Sequence, residues 1–144
     1  MKSLSVICLS LILVSTLTCK KEESQSDVPN VLVDFTIYLS QPSNVNLNVV
    51  GGWVYFPYGV KGIVVYRSGQ ESFVALERNC TYQSNNSSAI VSVDTANTLF
   101  LKDTSCGSKF YLQDGSVANG PATIPLKQYH TSYNSATLTV HVYN

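Results

Sequence analysis

The sequence predicts an all-β domain built of antiparallel strands, and three observations support this. After the N-terminal segment, no stretch places apolar residues at helical spacing over ten or more positions, whereas short β-branched runs recur. The run 137–142 alternates strictly between polar and apolar residues, which gives a strand one wet face and one buried face. Asp114-Gly115, directly after an apolar run, is the strongest hairpin signal in the chain. Many short strands at close spacing indicate a sandwich or small barrel of stacked sheets.

Nine segments fit the strand pattern, each bounded by turn residues such as Ser68-Gly69 and Gly120-Pro121. The predicted strands are 31–39, 45–50, Trp53–Phe56, 62–66, Phe73–Glu77, 90–93, 98–101, 109–112 and 136–142. A body of this length buries roughly two-thirds of its unfolded surface, which is enough for one core.

Composition narrows the class of protein. Lys plus Arg equals 9 and Asp plus Glu equals 9, so the formal net charge is zero. Charged residues make up only 12% of the chain, while hydrophobic residues make up 44%. A neutral chain without a basic cluster argues against nucleic-acid binding, and the ordinary hydrophobic content argues against disorder.

The N-terminal segment is predicted to be a lipoprotein signal peptide, residues 1–18. Lys2 gives a positive start, and the apolar run 4–17 is too short to cross a bilayer. Cys19, the predicted lipidation site, follows the signal and begins a polar, flexible tether over 19–30. This arrangement resembles a bacterial lipoprotein signal, although Thr16 stands where the usual lipobox has Leu. A plain secretory signal with an incidental cysteine is the alternative.

The order of motifs in the body, residues 31–144, resembles the Rieske iron–sulfur domain. Cys80 follows a predicted strand, and the segment 106–110 (CGSKF) precedes the Asp114-Gly115 turn and the segment 120–122 (GPA). In the Rieske family a strand ends in Cys-x-His, and a second loop supplies Cys-x-x-His-Gly-Ser-x-Phe. An Asp-Gly hairpin and a Gly-Pro-Ala loop that covers the cluster then follow. The resemblance covers about residues 49–143 and implies a Rieske-like antiparallel β-sandwich or small barrel of stacked sheets.

At the ligand positions this sequence departs from the family. The resemblance places Cys80 and Asp103 at the two Cys positions, and Tyr82 and Cys106 at the two His positions. A Rieske cluster needs two thiolates on one iron and two imidazoles on the other. The two histidines of the chain, His130 and His141, match neither ligand position. We therefore expect no cofactor and no resident metal, with a [2Fe-2S] cluster as the alternative.

The resemblance also implies that Cys80 and Cys106 face each other across the former cluster space. Once Cys8 leaves with the signal and Cys19 is lipidated, these two cysteines remain, and in an oxidising compartment they are expected to pair as a disulfide. A structural staple is favoured. A redox-active thiol pair and a small metal site remain open, although the chain has no C-x-x-C motif.

These expectations together predict a non-enzymatic protein with no catalytic residues. It would be a membrane-anchored, extracytoplasmic Rieske-like lipoprotein without a functional cluster that serves as an accessory or interaction module. Its expected location is the outer membrane, cell surface or periplasm of a Gram-negative bacterium, with an unknown protein partner and no nucleic acid. The alternative is a Rieske-type [2Fe-2S] electron-transfer protein.

Overall fold

The computed structural model describes residues 28–144, which contain ten β-strands and one 3-10 helix. The strands are β1 (Asp34–Tyr38), β2 (Trp53–Phe56), β3 (Ile63–Arg67), β4 (Phe73–Glu77), β5 (Val91–Val93), β6 (Phe100–Asp103), β7 (Lys109–Tyr111), β8 (Val117–Asn119), β9 (Gln128–Asn134) and β10 (Thr139–Tyr143). The predicted signal peptide 1–18, the Cys19 lipidation site and most of the predicted tether lie outside the described residues. Within the described part, no helix is long and apolar enough to span a membrane.

The strands form two antiparallel sheets, so the predicted all-β class is confirmed. The large sheet has six strands in the order β1-β10-β9-β4-β3-β2, and the small sheet has four in the order β5-β6-β7-β8. The small sheet and its loops, residues 78–127, lie between β4 and β9 in the chain, and we call this segment the insert. The predicted Asp114-Gly115 turn joins β7 to β8, which are paired.

The large sheet curls until aromatic rings from its two edge strands meet. Phe35 of β1 packs against Phe56 of β2 with ring centroids 5.4 Å apart, and it stacks on Tyr58 at 4.1 Å. The curled sheet encloses the first core, to which the loops at its ends also contribute. That core comprises Val33, Phe35, Ile37, Leu39, Leu47, Ile63, Val65, Phe73, Ala75, Tyr129, Val140 and Val142.

The β3–β4 hairpin forms the wall shared by two cores. Ile63 and Ala75 face the first core, whereas Val64 and Leu76 face the insert. Because both faces are covered, every residue of β4 is buried. The second core, between this wall and the insert, comprises Val64, Val74, Leu76, Cys80, Ala89, Val91, Val93, Leu101, Phe110, Leu112, Ala122 and Leu126.

The predicted strand 45–50 is wrong, because most of it lies in a 3-10 helix, Pro42–Asn48. Pro42 occupies the start of the helix, where its missing N–H has no cost. The Asn44 side chain donates to the Tyr38 carbonyl at 3.0 Å and holds the helix against the end of β1. Of the apolar residues in the helix, only Leu47 is buried, and Val45 is 58% exposed. Asn alternates with apolar residues in this segment, and this polar–apolar alternation is the pattern that predicted a strand.

Two strands were not predicted, and one was placed too early. β9 has the sequence QYHTSYN, in which Tyr129 alone is fully buried, and the short β8 contains no fully buried residue. The predicted strand 136–142 begins only at Thr139, because the preceding residues form the turn from β9. In that turn Leu138 has a φ of 52°.

Candidate functional site

Two loops of the insert meet at the position that the motif order predicted. Cys80 comes just after β4, where its N–H donates to the Ala89 carbonyl at 3.0 Å, and it is fully buried. Asp103 ends β6, and its Oδ1 accepts hydrogen bonds from the N–H of Ser105 at 2.7 Å and of Cys106 at 3.4 Å. This side-chain turn reverses the chain and directs Cys106 toward Cys80.

Three potential ligand atoms converge between the loops. The sulfurs of Cys80 and Cys106 lie 3.9 Å apart, and one ligand atom from each of Cys80, Asp103 and Cys106 lies within 4.8 Å of the other two. Asp103 is fully buried, yet its Oδ2 has no hydrogen-bond partner in the described structure. A buried carboxylate oxygen without a partner is costly, so its presence next to two sulfurs needs an explanation.

The Cys106 sulfur receives two further polar contacts. The Cys106 thiol donates to the hydroxyl oxygen of Ser108 at 3.1 Å, and the Cys106 sulfur accepts the N–H of Ser108 at 3.4 Å. The same hydroxyl accepts the N–H of Ala122 at 2.9 Å. Ser108 therefore ties the Cys106 loop to the Gly-Pro-Ala loop that packs over the site.

The local environment shifts the acidity of two groups in opposite directions. Burial, with a contribution from the neighbouring Asp103, raises the pKa of the Cys80 thiol to about 12. Burial also acts to raise the pKa of Asp103, but the hydrogen bonds from Ser105 and the proximity of the two thiols outweigh it and hold that pKa below its usual value. Around neutral pH the site therefore pairs a protonated buried thiol with an ionised carboxylate.

Of the other residues singled out in the sequence, Tyr82 lies near the site and the two histidines lie away from it. Tyr82 is partly buried against the second core, and its backbone hydrogen-bonds to Cys80. His130 is exposed on β9. His141 lies on β10, where its Nε2 is 2.8 Å from Asp34. Both histidines belong to the large sheet and neither lies in the site loops.

The donor set does not fit a Rieske cluster. No histidine stands beside Cys80, Asp103, Cys106 or Tyr82, so the imidazole iron of such a centre has no ligands here. The resemblance would also place Cys80 and Cys106 on different irons. Their sulfurs are nearly in contact at 3.9 Å, which leaves no space for a two-iron group between them.

The predicted disulfide remains a prediction. Both cysteines are free thiols in the structure, and their 3.9 Å separation exceeds the roughly 2.05 Å of an S–S bond. The pair is nevertheless adjacent, with one sulfur buried and the other half-buried. The two thiols are therefore neighbours that are not bonded to each other.

Sequence reasoning missed the buried carboxylate that supports these loops. Glu77 is fully buried at the end of β4. Its Oε2 accepts the N–H of Val60 at 2.8 Å and the hydroxyl of Tyr129 at 2.8 Å. Its Oε1 accepts the N–H of Lys61 at 2.9 Å and that of Asn79 at 3.0 Å. An acidic residue closing an otherwise apolar strand, FVALE, was the signal in the sequence.

Lys61 extends this support to the loop between the two site segments. Its ammonium donates to the carbonyls of Ser84 at 3.0 Å and of Ala89 at 3.2 Å, and it also contacts the Asn86 carbonyl. Because Cys80 pairs with Ala89 through its backbone, Lys61 holds the segment that carries Cys80.

Comparison with known proteins gives a similarity at the level of solved structures. Neither the protein-family models nor the curated proteins match this chain. Among solved structures, the chain is similar to one described as a complex of reduced oxygenase and oxidized ferredoxin in carbazole 1,9a-dioxygenase. The match has 24% sequence identity and a TM-score of 0.46, and it covers 64% of this chain and 88% of the other.

Proposed function

We propose that this chain is a lipid-anchored, extracytoplasmic Rieske-like module without a functional iron–sulfur cluster. It acts as a non-enzymatic accessory or interaction domain for a protein partner. Cys19 is the lipidation site, and the body is displayed from the outer membrane or cell surface, or into the periplasm, of a Gram-negative bacterium. Nucleic acid is not a ligand.

The donor set at the site carries this proposal. Cys80, Asp103 and Cys106 converge at the ligand positions of the Rieske motif order, but no imidazole accompanies them. The frame around them is retained, because Ser108 still bridges to Ala122 and the Asp114-Gly115 turn still joins β7 to β8. Retained loops with altered ligands favour a domain that has kept its shape and lost its redox centre.

A Cys80–Cys106 disulfide is the proposed replacement for the cluster in an oxidising compartment. The 3.9 Å separation of the sulfurs supports it, since a small rotation of either side chain shortens that distance. On the chain-entropy account, closing the loop between them contributes about 3.5 kcal/mol. The staple would hold together the two loops that a cluster otherwise joins.

Visible absorption and iron analysis of the exported, purified protein test the absence of a cluster. We expect a colourless protein without stoichiometric iron. A triple variant that restores the family ligands, Tyr82→His, Asp103→Cys and Cys106→His, is the matched control for cluster assembly in the same host. A brown native protein with about two irons per chain would contradict the proposal and establish the electron-transfer alternative.

Mass spectrometry tests the staple and the anchor separately. The intact mass should rise by two hydrogen atoms on reduction, and Cys80→Ala should abolish this rise. Free thiols in protein collected from the periplasm without reductant would contradict the disulfide. Cys19→Ala should lose the lipid mass and move the protein from the membrane fraction to the soluble fraction.

A further inference from the structure

The unpartnered carboxylate oxygen of Asp103 points to a chemistry that a disulfide does not use. We propose that, when both thiols are reduced, Cys80, Cys106 and Asp103 bind a single thiophilic divalent cation of the zinc class. This site belongs to the reduced, cluster-free protein, which can be prepared whether or not the exported protein carries a cluster. It assigns these residues to a mononuclear site.

The spacing of the sulfurs suits one ion. Two thiolates bonded to a tetrahedral zinc at about 2.3 Å are held roughly 3.8 Å apart. The observed separation of Cys80 and Cys106 is 3.9 Å, so the pair already has the bite that a single ion requires. The third ligand atom, from Asp103, lies within 4.8 Å of both sulfurs.

The Asp103 carboxylate is oriented as a ligand is. Its Oδ1 is fixed by the N–H groups of Ser105 and Cys106, which leaves Oδ2 free, although the residue is fully buried. Hydrogen bonds on one oxygen of a carboxylate commonly orient the other toward a metal. A bound cation would satisfy Oδ2 and remove the cost of burying it alone.

The mixed donor set selects the class of ion. Two thiolates favour zinc or copper(I) over magnesium or calcium, and a carboxylate oxygen suits zinc better than copper(I). The N–H of Ser108 donates to the Cys106 sulfur at 3.4 Å and so stabilises negative charge there. Cys106 is half-buried, so solvent reaches that side of the site. Three protein ligands and one accessible position match zinc sites that exchange a ligand.

Metal and disulfide compete for the same sulfurs. An oxidised pair has no thiolate to offer, and a metal-bound pair is protected from joining. The redox state of the compartment therefore decides which occupant the site takes.

Cobalt(II) is the probe for this site. The mature chain is reduced with a phosphine, freed of metal with a chelator and titrated with cobalt(II) without oxygen. We expect one equivalent to give a thiolate-to-cobalt charge-transfer band and intense visible bands typical of tetrahedral coordination. Zinc should displace the cobalt, and zinc should raise the Tm of the reduced protein.

Three variants assign the ligands. Asp103→Asn keeps the Oδ1 hydrogen bonds and should weaken zinc binding at least about tenfold, measured by competition with a chromophoric chelator. Cys106→Ser, at the less buried cysteine, should abolish the charge-transfer band of the one-to-one complex. Asp94→Asn removes a carboxylate that pairs with Lys109 at 3.1 Å outside the site, and should leave metal affinity unchanged. Circular dichroism verifies that each variant is folded.

Each part of the proposal is contradicted by a different result. If the native protein and folded Cys106→Ser bind the metal equally well, the proposed zinc site is refuted. Equal affinity in native and folded Asp103→Asn would overturn the assignment of the carboxylate. If the exported protein instead holds a two-iron cluster, the proposed function fails, while the cobalt titration still decides the mononuclear site on cluster-free protein.

Discussion

Glu77 in the large sheet and Asp103 in the insert are both fully buried carboxylates, but their surroundings differ. Four donors satisfy Glu77, two on each oxygen. Asp103 has donors on Oδ1 and none on Oδ2. The difference separates a carboxylate that holds loops in place from one that keeps a coordination site free for a ligand.

The same contrast extends to the regions around them. In the described residues, the buried side-chain polar atoms without partners are in Asn79, Ser84 and Asp103, all within the insert. The large sheet has longer strands, up to seven residues in β9, whereas the strands of the small sheet have three or four. The shorter strands and the unpartnered polar atoms of the insert predict that the insert opens more easily than the large sheet.

Replacing each of the two carboxylates by an amide should give the largest difference in the free energy of unfolding between the two regions. Glu77→Gln places an NH2 group against two donors and should lower the free energy of unfolding by about 3 kcal/mol. Asp103→Asn in the reduced, metal-free protein loses no hydrogen bond at Oδ2 and should cost less than about 1 kcal/mol. Urea unfolding measures both. Equal losses would mean that Asp103 is as structural as Glu77.

Matched truncations should reveal whether the two regions open separately. Val91 in the small sheet and Val140 in the large sheet are both fully buried, so Val→Ala at either site should cost roughly 2 kcal/mol. In native-state hydrogen exchange, Val91→Ala should speed exchange only in the insert, because the insert is joined to the large sheet through one wall. Val140→Ala should speed exchange in both regions. Identical exchange patterns would show a single cooperative unit.

Alkaline pH should lower the free energy of unfolding of the reduced, metal-free protein, because the buried Cys80 thiol ionises. Its pKa is raised from 9.0 in the unfolded chain to about 12 in the fold, so the folded state holds the thiol proton more tightly. The associated stabilisation is complete below pH 9 and is lost as the pH rises toward 12. Urea midpoints should therefore fall more steeply over this range in the native protein than in Cys80→Ala. Tyr129, whose pKa is also raised by burial and by Glu77, contributes to both proteins alike. Parallel pH profiles would rule out this role of the thiol.

Elements with strong local signals were predictable from the sequence. β3 and β4 were predicted because apolar, β-branched runs suit a strand covered on both faces, and the turn after β7 because Asp-Gly favours it. β9 was not predicted, because its polar residues acquire strand structure by pairing with β10 and β4. The helix over Pro42–Asn48 depends on Asn44 reaching a carbonyl outside the helix, and no local pattern encodes that contact.

The site was predictable in its members but not in its chemistry. Motif order selected Cys80, Asp103 and Cys106, and the structure brings all three together. The unpartnered oxygen of Asp103 depends on which donors the folded loop directs at it, so no sequence pattern could reveal it. Glu77 was overlooked because its partner Tyr129 lies 52 positions away, in a strand that was not predicted.

The ring contacts between Phe35, Phe56 and Tyr58 have a consequence for the surface of the protein. An open sheet ends in two strands whose unpaired backbone groups can recruit a strand from another molecule, which is a common route to aggregation. Here the two outermost strands are turned toward each other, and aromatic side chains fill the seam between them. Closure by side chains, without a continuous ladder of hydrogen bonds, protects a six-stranded sheet from growing into a larger one.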